Sequence, residues 1–250
     1  EAVTASERMG EMFGLIMIDV DHFKDINDTL GHDAGDALLK RLADMLQHAF
    51  RSNDTVARLG GDEFAVILRG LHGEADMLRP IQVLQTLLER PIEHAGRSFT
   101  ISASIGAALH GDPDADPTHM VKNADIALYR AKDEGRNRSV VFTPAMRSSL
   151  EQRIELLRDV RAAIPAGEFI LFYQPVIDLQ SHAVAGFEAL MRWAHPEQGI
   201  LTPDRFMAAF EDQDLSLKLG DVALETALSQ MRTWLDAGVE FGRVAVNISS

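Results

Sequence analysis

Carboxylates gather at the ends of two apolar runs in this chain. Asp19 and Asp21 follow Leu15-Ile16-Met17-Ile18; Asp62 and Glu63 stand between the paired glycines Gly60-Gly61 and the run Phe64-Ala65-Val66-Ile67-Leu68. Acids at the end of a buried strand are costly unless they are solvated or bind something. Glycines beside them let a ligand approach bare backbone. Two or three such carboxylates suit Mg²⁺, which takes a couple of protein oxygens and completes its shell with water and substrate phosphates. Lys24, Lys132 and Arg136 supply positive charge for those phosphates. Together these residue types describe metal-assisted phosphoryl or nucleotidyl transfer.

The elements that must hold them follow from periodicity. Leu15–Ile18 reads as a strand buried on both faces, preceded over residues 1–13 by the tail of an amphipathic helix. Phe23–Asp28 reads as a polar loop. From Ala34 the residues Leu38, Leu42, Met45 and Leu46 keep helical spacing up to Arg51. The paired glycines at 60–61 predict a tight hairpin with strands near 55–59 and 63–69, both glycines supplying positive φ. A helix carrying Leu78, Ile81, Leu84, Leu87 and Leu88 follows, then a strand from Phe99 to Leu109, a loop at 111–114, and a helix from Thr118 to Glu134 stopped by Gly135. A short strand at Ser139–Phe142 completes a β-α-β-β-α-β-α-β order. The fold class expected is α/β (α+β), a ferredoxin-like mixed sheet with helices on one face and an extra unit appended. Beyond a linker helix, strands at Phe169–Ile177, Val184–Trp193 and Val244–Ile248 and a helical stretch at Phe206–Leu235 form a second pattern.

Composition narrows the setting. A formal charge of −14 argues against a nucleic-acid surface. The absence of cysteine fits a reducing cytoplasm and excludes disulfides and thiolate metal sites. No apolar run approaches the ~20 residues of a membrane helix. The chain opens on Glu1 and reads as an interior piece of a longer polypeptide, so membrane attachment is expected only through missing segments, if at all. His48, His72, His94, His110, His119 and His182 fit no metal-ligand spacing and read as surface or packing residues.

Asp19-Val20-Asp21-His22-Phe23-Lys24-Asp25-Ile26-Asn27, Gly31-His32 with Gly35-Asp36, Gly60-Gly61-Asp62-Glu63-Phe64, and Ala124–Lys132 with Gly135-Arg136-Asn137 strongly resemble the GGDEF domain of diguanylate cyclases. The resemblance implies a nucleotide-cyclase-type sheet and conversion of two GTP into cyclic di-GMP and two pyrophosphates by a homodimer, with Mg²⁺ (or Mn²⁺) as cofactor. It implies Asp19, the Val20 carbonyl and Asp62 as metal ligands, with Glu63 for a second ion. Asp62, Glu63 and Lys24 become the catalytic set. Asn27 and Asp36 read guanine, His32 lies beside base or ribose, and Gly60 and Gly61 leave room for substrate. Lys132 and Arg136 hold the terminal phosphates. Arg51 and Asp54 match the family's inhibitory Arg-x-x-Asp, which binds product. On residue type alone, Asn27 and Asp36 are equally a turn residue and an exposed helix acid. Lys132 and Arg136 are equally helix-dipole partners, His32 an ordinary loop histidine, and Arg51 with Asp54 a helix end and a turn. Asp21 reads as structural.

Tyr173-Gln174-Pro175, Glu188-Ala189-Leu190-Met191-Arg192-Trp193, His195-Pro196 and Val246-Asn247-Ile248-Ser249 resemble the start of an EAL domain, the cyclic di-GMP phosphodiesterase family. That implies Glu188 and Asn247 as metal ligands, Gln174 and Arg192 as dinucleotide contacts, and the first third of a TIM-like (β/α)₈ barrel. Such a barrel needs about 250 residues, so this part is expected to hydrolyse nothing. Asp212–Ser216 departs from that family's Gly-Leu-Ile. The expected domains are 1–144 (a GGDEF domain whose opening Asp-x-Leu-Thr-Gly-Leu-x-Asn-Arg segment is missing), a linker helix at 145–168, and a partial EAL domain at 169–250. A GTP or cyclic di-GMP receptor without turnover, and a parent protein acting mainly as a phosphodiesterase, are the competing expectations.

Overall fold

The apolar run at Leu15–Ile18 becomes the middle of β1 (Met12–Val20), in which every residue from Phe13 to Val20 is buried. The computed structural model describes residues 12–94, 97–110 and 118–247, and divides into two units, Glu1–Ser149 and Leu150–Ser250. The helix tail expected at 1–13 lies outside the described residues up to 11, and Met12 and Phe13 belong to the strand. The loop expected at 111–114 also lies outside them.

Phe23–Asp28 is helical rather than a loop, forming α1 (Phe23–Leu30). Phe23 and Ile26 stand three apart and pack on the core. That stripe makes a short amphipathic helix out of a stretch whose polar content argues for a loop. After α2 (His32–Ala49) come β2 (Thr55–Gly60) and β3 (Glu63–Leu71). Gly61 alone of the two glycines has a positive φ, of 50°. Gly60 pairs with Glu63 as the last strand residue, so the turn itself is Gly61-Asp62. The helix α3 (Glu74–Leu88) buries Met77, Ile81, Leu84 and Leu88. The single strand expected from Phe99 to Leu109 is broken. Phe99 ends a small hairpin of β4 (Ile92–His94) and β5 (Arg97–Phe99), where it is the partner of Ile92, and the main sheet resumes at β6 (Ala103–His110). α4 (His119–Asp133) and β7 (Ser139–Val141) follow.

The sheet order is β2-β3-β1-β6-β7, with β1 antiparallel to both neighbours and β7 parallel to β6. Helices cover both faces, not one. Ile16, Ile18 and Val20 face a core with Leu38, Leu42, Met77 and Ile81 of α2 and α3. Phe13, Leu15 and Met17 alternate to the other face and meet Met120, Ala124 and Leu128 of α4. The unbroken apolar run of β1 is the consequence. α4 lies so close to the sheet that a Cβ on Gly106 would collide with the backbone of Ala124 and Leu128. His110, read as a surface or packing residue, is the latter: it is buried with its ring 4.7 Å from that of Phe13.

The second unit begins within α5 (Pro144–Ala166) and continues with β8 (Phe169–Ile177), β9 (Val184–His195), β10 (Gly199–Leu201), α6 (Ala208–Glu211), α7 (Gln213–Asp236) and β11 (Arg243–Val246). Phe169 stacks on Trp193 at 5.6 Å, and Phe206 meets both rings edge-on. Asp212, in the divergent stretch, caps α7 by accepting the Leu215 amide at 3.0 Å. Among the described residues the strands form an open sheet in which β9 pairs with β8, β10 and, in parallel, β11.

Candidate active site

Antiparallel pairing of β1 and β3 sets Asp19 opposite Glu63, and the Val20 amide donates to the Asp62 carbonyl at 3.4 Å. The glycine turn therefore lies against the carboxyl end of β1. Asp19 is buried, Asp62 half-buried and Glu63 exposed. Lys132, in the last turn of α4, brings its Nζ to 2.7 Å from Asp19 Oδ2. Burial pushes the Asp19 carboxyl up; the hydrogen bond and charge of Lys132 oppose this, while the nearby negative charges of Asp62 and Asp21 add to it. Open space lies where Cβ atoms on Gly60 and Gly61 would stand. Arg58 fixes the turn by donating from Nε (2.9 Å) and Nη2 (2.7 Å) to the Gly61 carbonyl.

Asp19, Asp62, Glu63 and the Val20 carbonyl are all hard oxygen donors. Among the described residues no three acidic or histidine side chains converge as a complete metal cluster. One or two carboxylates, with water and phosphate completing the shell, is the manner in which Mg²⁺ is held, and this donor set fits it.

Asp21, two residues beyond Asp19, is buried with both oxygens in use. Ser104 Oγ donates to Oδ1 at 2.6 Å, while Ser102 Oγ and the Asn137 amide donate to Oδ2 at 2.8 and 3.0 Å. The carboxylate thus ties β1 to the start of β6 and to the loop after α4. Arg136 lies in that loop, exposed, with a positive φ of 61°.

Asn27, half-buried on α1, packs over Gly35, where an added Cβ would overlap its Oδ1. Asp36 is the next residue along α2. Asp36 is exposed and lines a cavity of about 420 Å³ with Leu39, Lys40, Gln47, Arg58 and Phe64. His32 is exposed one turn earlier on α2, and Lys24 is exposed in the first turn of α1. Arg51 and Asp54 are apart from this cluster. Asp54 accepts the Arg51 amide at 2.9 Å and the Arg69 amide at 3.4 Å, and both residues line a separate cavity of about 210 Å³ with Arg69, Asp76 and Arg79.

In the second unit Asn247 Nδ2 donates to Glu188 Oε1 at 2.9 Å. Gln174 is directly opposite Glu188 in the β8–β9 register. Arg192, on the Glu188 side of the strand, donates to the Met191 carbonyl and lies over the Phe172 ring at 5.5 Å.

Sequence reasoning missed Arg58, Arg69 and Arg79, and gave Asp21 no partners. Arg58 was legible in principle, because a guanidinium two residues ahead of a glycine turn is within reach of its carbonyls. The partners of Asp21 lie more than eighty residues away, beyond any local pattern.

The model for "Diguanylate cyclase, GGDEF domain" matches residues 1–138, and that for "EAL domain" matches residues 157–250. The bifunctional diguanylate cyclase/cyclic di-GMP phosphodiesterase MucR of Pseudomonas aeruginosa is 36% identical over 250 residues, covering 100% of this chain and 36% of MucR. Cyclic di-GMP phosphodiesterase NbdA of the same organism is 38% identical over 240 residues, 95% of this chain and 30% of NbdA. The chain thus spans about a third of the length of these curated relatives. Among solved structures, the GGDEF domain of TpbB (YfiN) from P. aeruginosa superposes with a TM-score of 0.58 at 36% identity, covering 60% of this chain and 88% of that one. The GGDEF domain of DgcB from Caulobacter crescentus, in complex with c-di-GMP, gives a TM-score of 0.53 at 28% identity, covering 56% and 83%. The chain belongs to the GGDEF family through residues 1–138, and an EAL-domain portion follows at residues 157–250.

Proposed function

We propose that residues 1–144 act as a diguanylate cyclase, joining two GTP into cyclic di-GMP, with 145–168 as a linker helix and 169–250 as part of a phosphodiesterase domain. The observation that carries this reading is the junction of Asp19, Asp62 and Glu63 at one sheet end with Lys132 reaching in from α4. Asp19, the Val20 carbonyl and Asp62 would hold Mg²⁺ (or Mn²⁺), with Glu63 beside them. The ion, when bound, neutralises the triphosphate and acidifies the attacking hydroxyl.

This chain's residues do the rest. Asn27 and Asp36 offer the donor and acceptor groups that match a guanine edge, with His32 alongside. Asp62 accepts the proton of the 3′-hydroxyl as its oxygen bonds to the α-phosphorus of the facing GTP. Lys24 offsets charge building on that phosphate. The bond from the α-phosphorus to the bridging oxygen breaks, and pyrophosphate leaves toward Lys132 and Arg136. The first unit of each copy holds one GTP, so two copies of the chain must meet face to face, in the cytoplasm, where GTP is available. Among the described residues no helix is long and apolar enough to cross a membrane.

The arginine-lined cavity at Arg51 and Asp54 favours a second role, binding of cyclic di-GMP as an inhibitor or signal, since guanidinium groups clamp phosphate and guanine bidentately. In the second unit, Glu188 and Asn247 would be metal ligands, and Gln174 and Arg192 dinucleotide contacts, in a longer protein that carries the remaining strands. Calorimetry with GTP and Mg²⁺ tests the main reading. Binding that Asp19→Ala abolishes supports it; an absence of GTP binding by the unaltered chain overturns it.

A further inference from the structure

We infer that Asp21 is a positioning residue for the phosphate end of the nucleotide site, acting by fixing the loop that carries Arg136; this rests on the GTP-site reading above. The loop is anchored at three successive amides. At the end of α4 the Gly135 amide donates to the Lys132 carbonyl (3.3 Å) and the Arg136 amide to the Ala131 carbonyl (3.0 Å), with Gly135 at a φ of 108°. This paired closure is the usual glycine-ended helix terminus. The next amide, of Asn137, has left the helix and is taken by Asp21 Oδ2 at 3.0 Å. Arg136 therefore stands between a bond to its own helix and a bond to the end of β1.

Two further observations point the same way. Arg136 and Asn137 both have left-handed backbone, with φ of 61° and 48°. Consecutive non-glycine residues in that region persist only where the surroundings over-determine them. The restraint is the buried Asp21 carboxylate, itself fixed by the hydroxyls of Ser104 in β6 and of Ser102 just before it. A charged acceptor makes the stronger kind of hydrogen bond to an amide. Asp21 also follows Asp19 by two residues in sequence, so one strand end fixes both the metal side and the phosphate side of the site.

The test compares GTP with GMP, which lacks the terminal phosphates. Binding of each to the full chain in Mg²⁺ is measured for the unaltered protein, Asp21→Ala, Asp21→Asn and the pair Ser102→Ala with Ser104→Ala. Asp21→Asn keeps the side-chain shape should Asp21→Ala fail to fold. The expected result is a loss of GTP affinity of about tenfold or more, the size usual for a residue that orients a ligand-binding group, with GMP affinity unchanged. Adding Arg136→Ala to either folded Asp21 variant then costs GTP nothing further, whereas alone it does. The serine pair, which frees the carboxylate from the hydroxyls that hold it, lowers GTP affinity in the same direction but by less, again with GMP unchanged. Equal losses for GTP and GMP, or an undiminished Arg136→Ala effect in the Asp21 variant, overturn the inference. Failure of the unaltered chain to bind either nucleotide overturns the site reading as well, which distinguishes the two failures.

Discussion

Lys132 Nζ sits 2.7 Å from Asp19 Oδ2 and links the last turn of α4 to the end of β1. It supplies the positive charge that a carboxylate this far from water requires. A divalent cation and a triphosphate would share the same two groups, the cation taking Asp19 and the phosphates Lys132. The pair thus makes the site sensitive to charge before any ligand arrives.

The Asp19 carboxyl, raised by burial, gives a definite pH dependence. A carboxyl whose folded value lies above its unfolded value, about 3.9, binds its proton more tightly in the native state. Its contribution to stability is present below the unfolded value and is lost as pH rises through the folded one. Metal-free protein should therefore lose stability across the window just above pH ~4, and Asp19→Asn should flatten that slope. Lys132→Ala removes the group that holds the carboxyl down and should move the window to higher pH. NMR titration of the Asp19 carboxyl, beside urea unfolding at stepped pH, checks both.

Gly106→Ala should destabilise the first unit at the upper end of the about 1–3 kcal/mol typical of overpacking, because the added carbon meets α4 backbone, which cannot step aside. The midpoint of urea unfolding reads this. An unchanged midpoint would mean that α4 is not seated on β6 as described.

Gly35→Ala should act differently. Its new carbon meets the far end of the Asn27 side chain, which can swing away, and the tip of the Phe23 ring at 3.2 Å, which needs to give by only a few tenths of an ångström. Stability should change little, while affinity for guanine nucleotides falls about tenfold through loss of one well-placed hydrogen bond. Calorimetry with GTP against ATP separates lost guanine recognition from general weakening.

Arg51→Ala should weaken cyclic di-GMP binding by about 1.5–3 kcal/mol, the range for a hydrogen bond to a charged group, and leave GTP binding unaltered. Arg51 lines the cavity with Arg69 and Arg79, away from Asp19. Equal binding of cyclic di-GMP by both proteins would remove this cavity from consideration.

What the sequence reveals divides by the range of the interaction involved. β1, the glycine hairpin, α2 and the end of α4 at Gly135 were legible, since each is written in local periodicity or in a turn residue. α1 was not, because two apolar side chains, Phe23 and Ile26, outweigh a polar surround once a core exists to receive them. Placement of α4 on the opposite face was hidden as well; it depends on Gly106 of β6 letting the backbone of Leu128 close directly onto the strand. Within the candidate site, Asp19, Asp62 and Lys132 could be named from residue type, and the resemblance set Asp19 with Asp62 on one metal ion, but the ion pair of Asp19 with Lys132 was not legible. The partnership of Asp21 with Ser102, Ser104 and Asn137 is wholly tertiary.

Cyclase activity is read by incubating the chain with GTP and Mg²⁺ and quantifying cyclic di-GMP and pyrophosphate by chromatography, beside Asp62→Ala. The unaltered chain should yield one cyclic di-GMP for every two pyrophosphates, at a rate that rises more than linearly with protein concentration because two copies must meet, and Asp62→Ala should yield none. Folded protein that binds GTP and releases no cyclic di-GMP, or an Asp62→Ala variant as active as the original, would contradict the proposed cyclase activity.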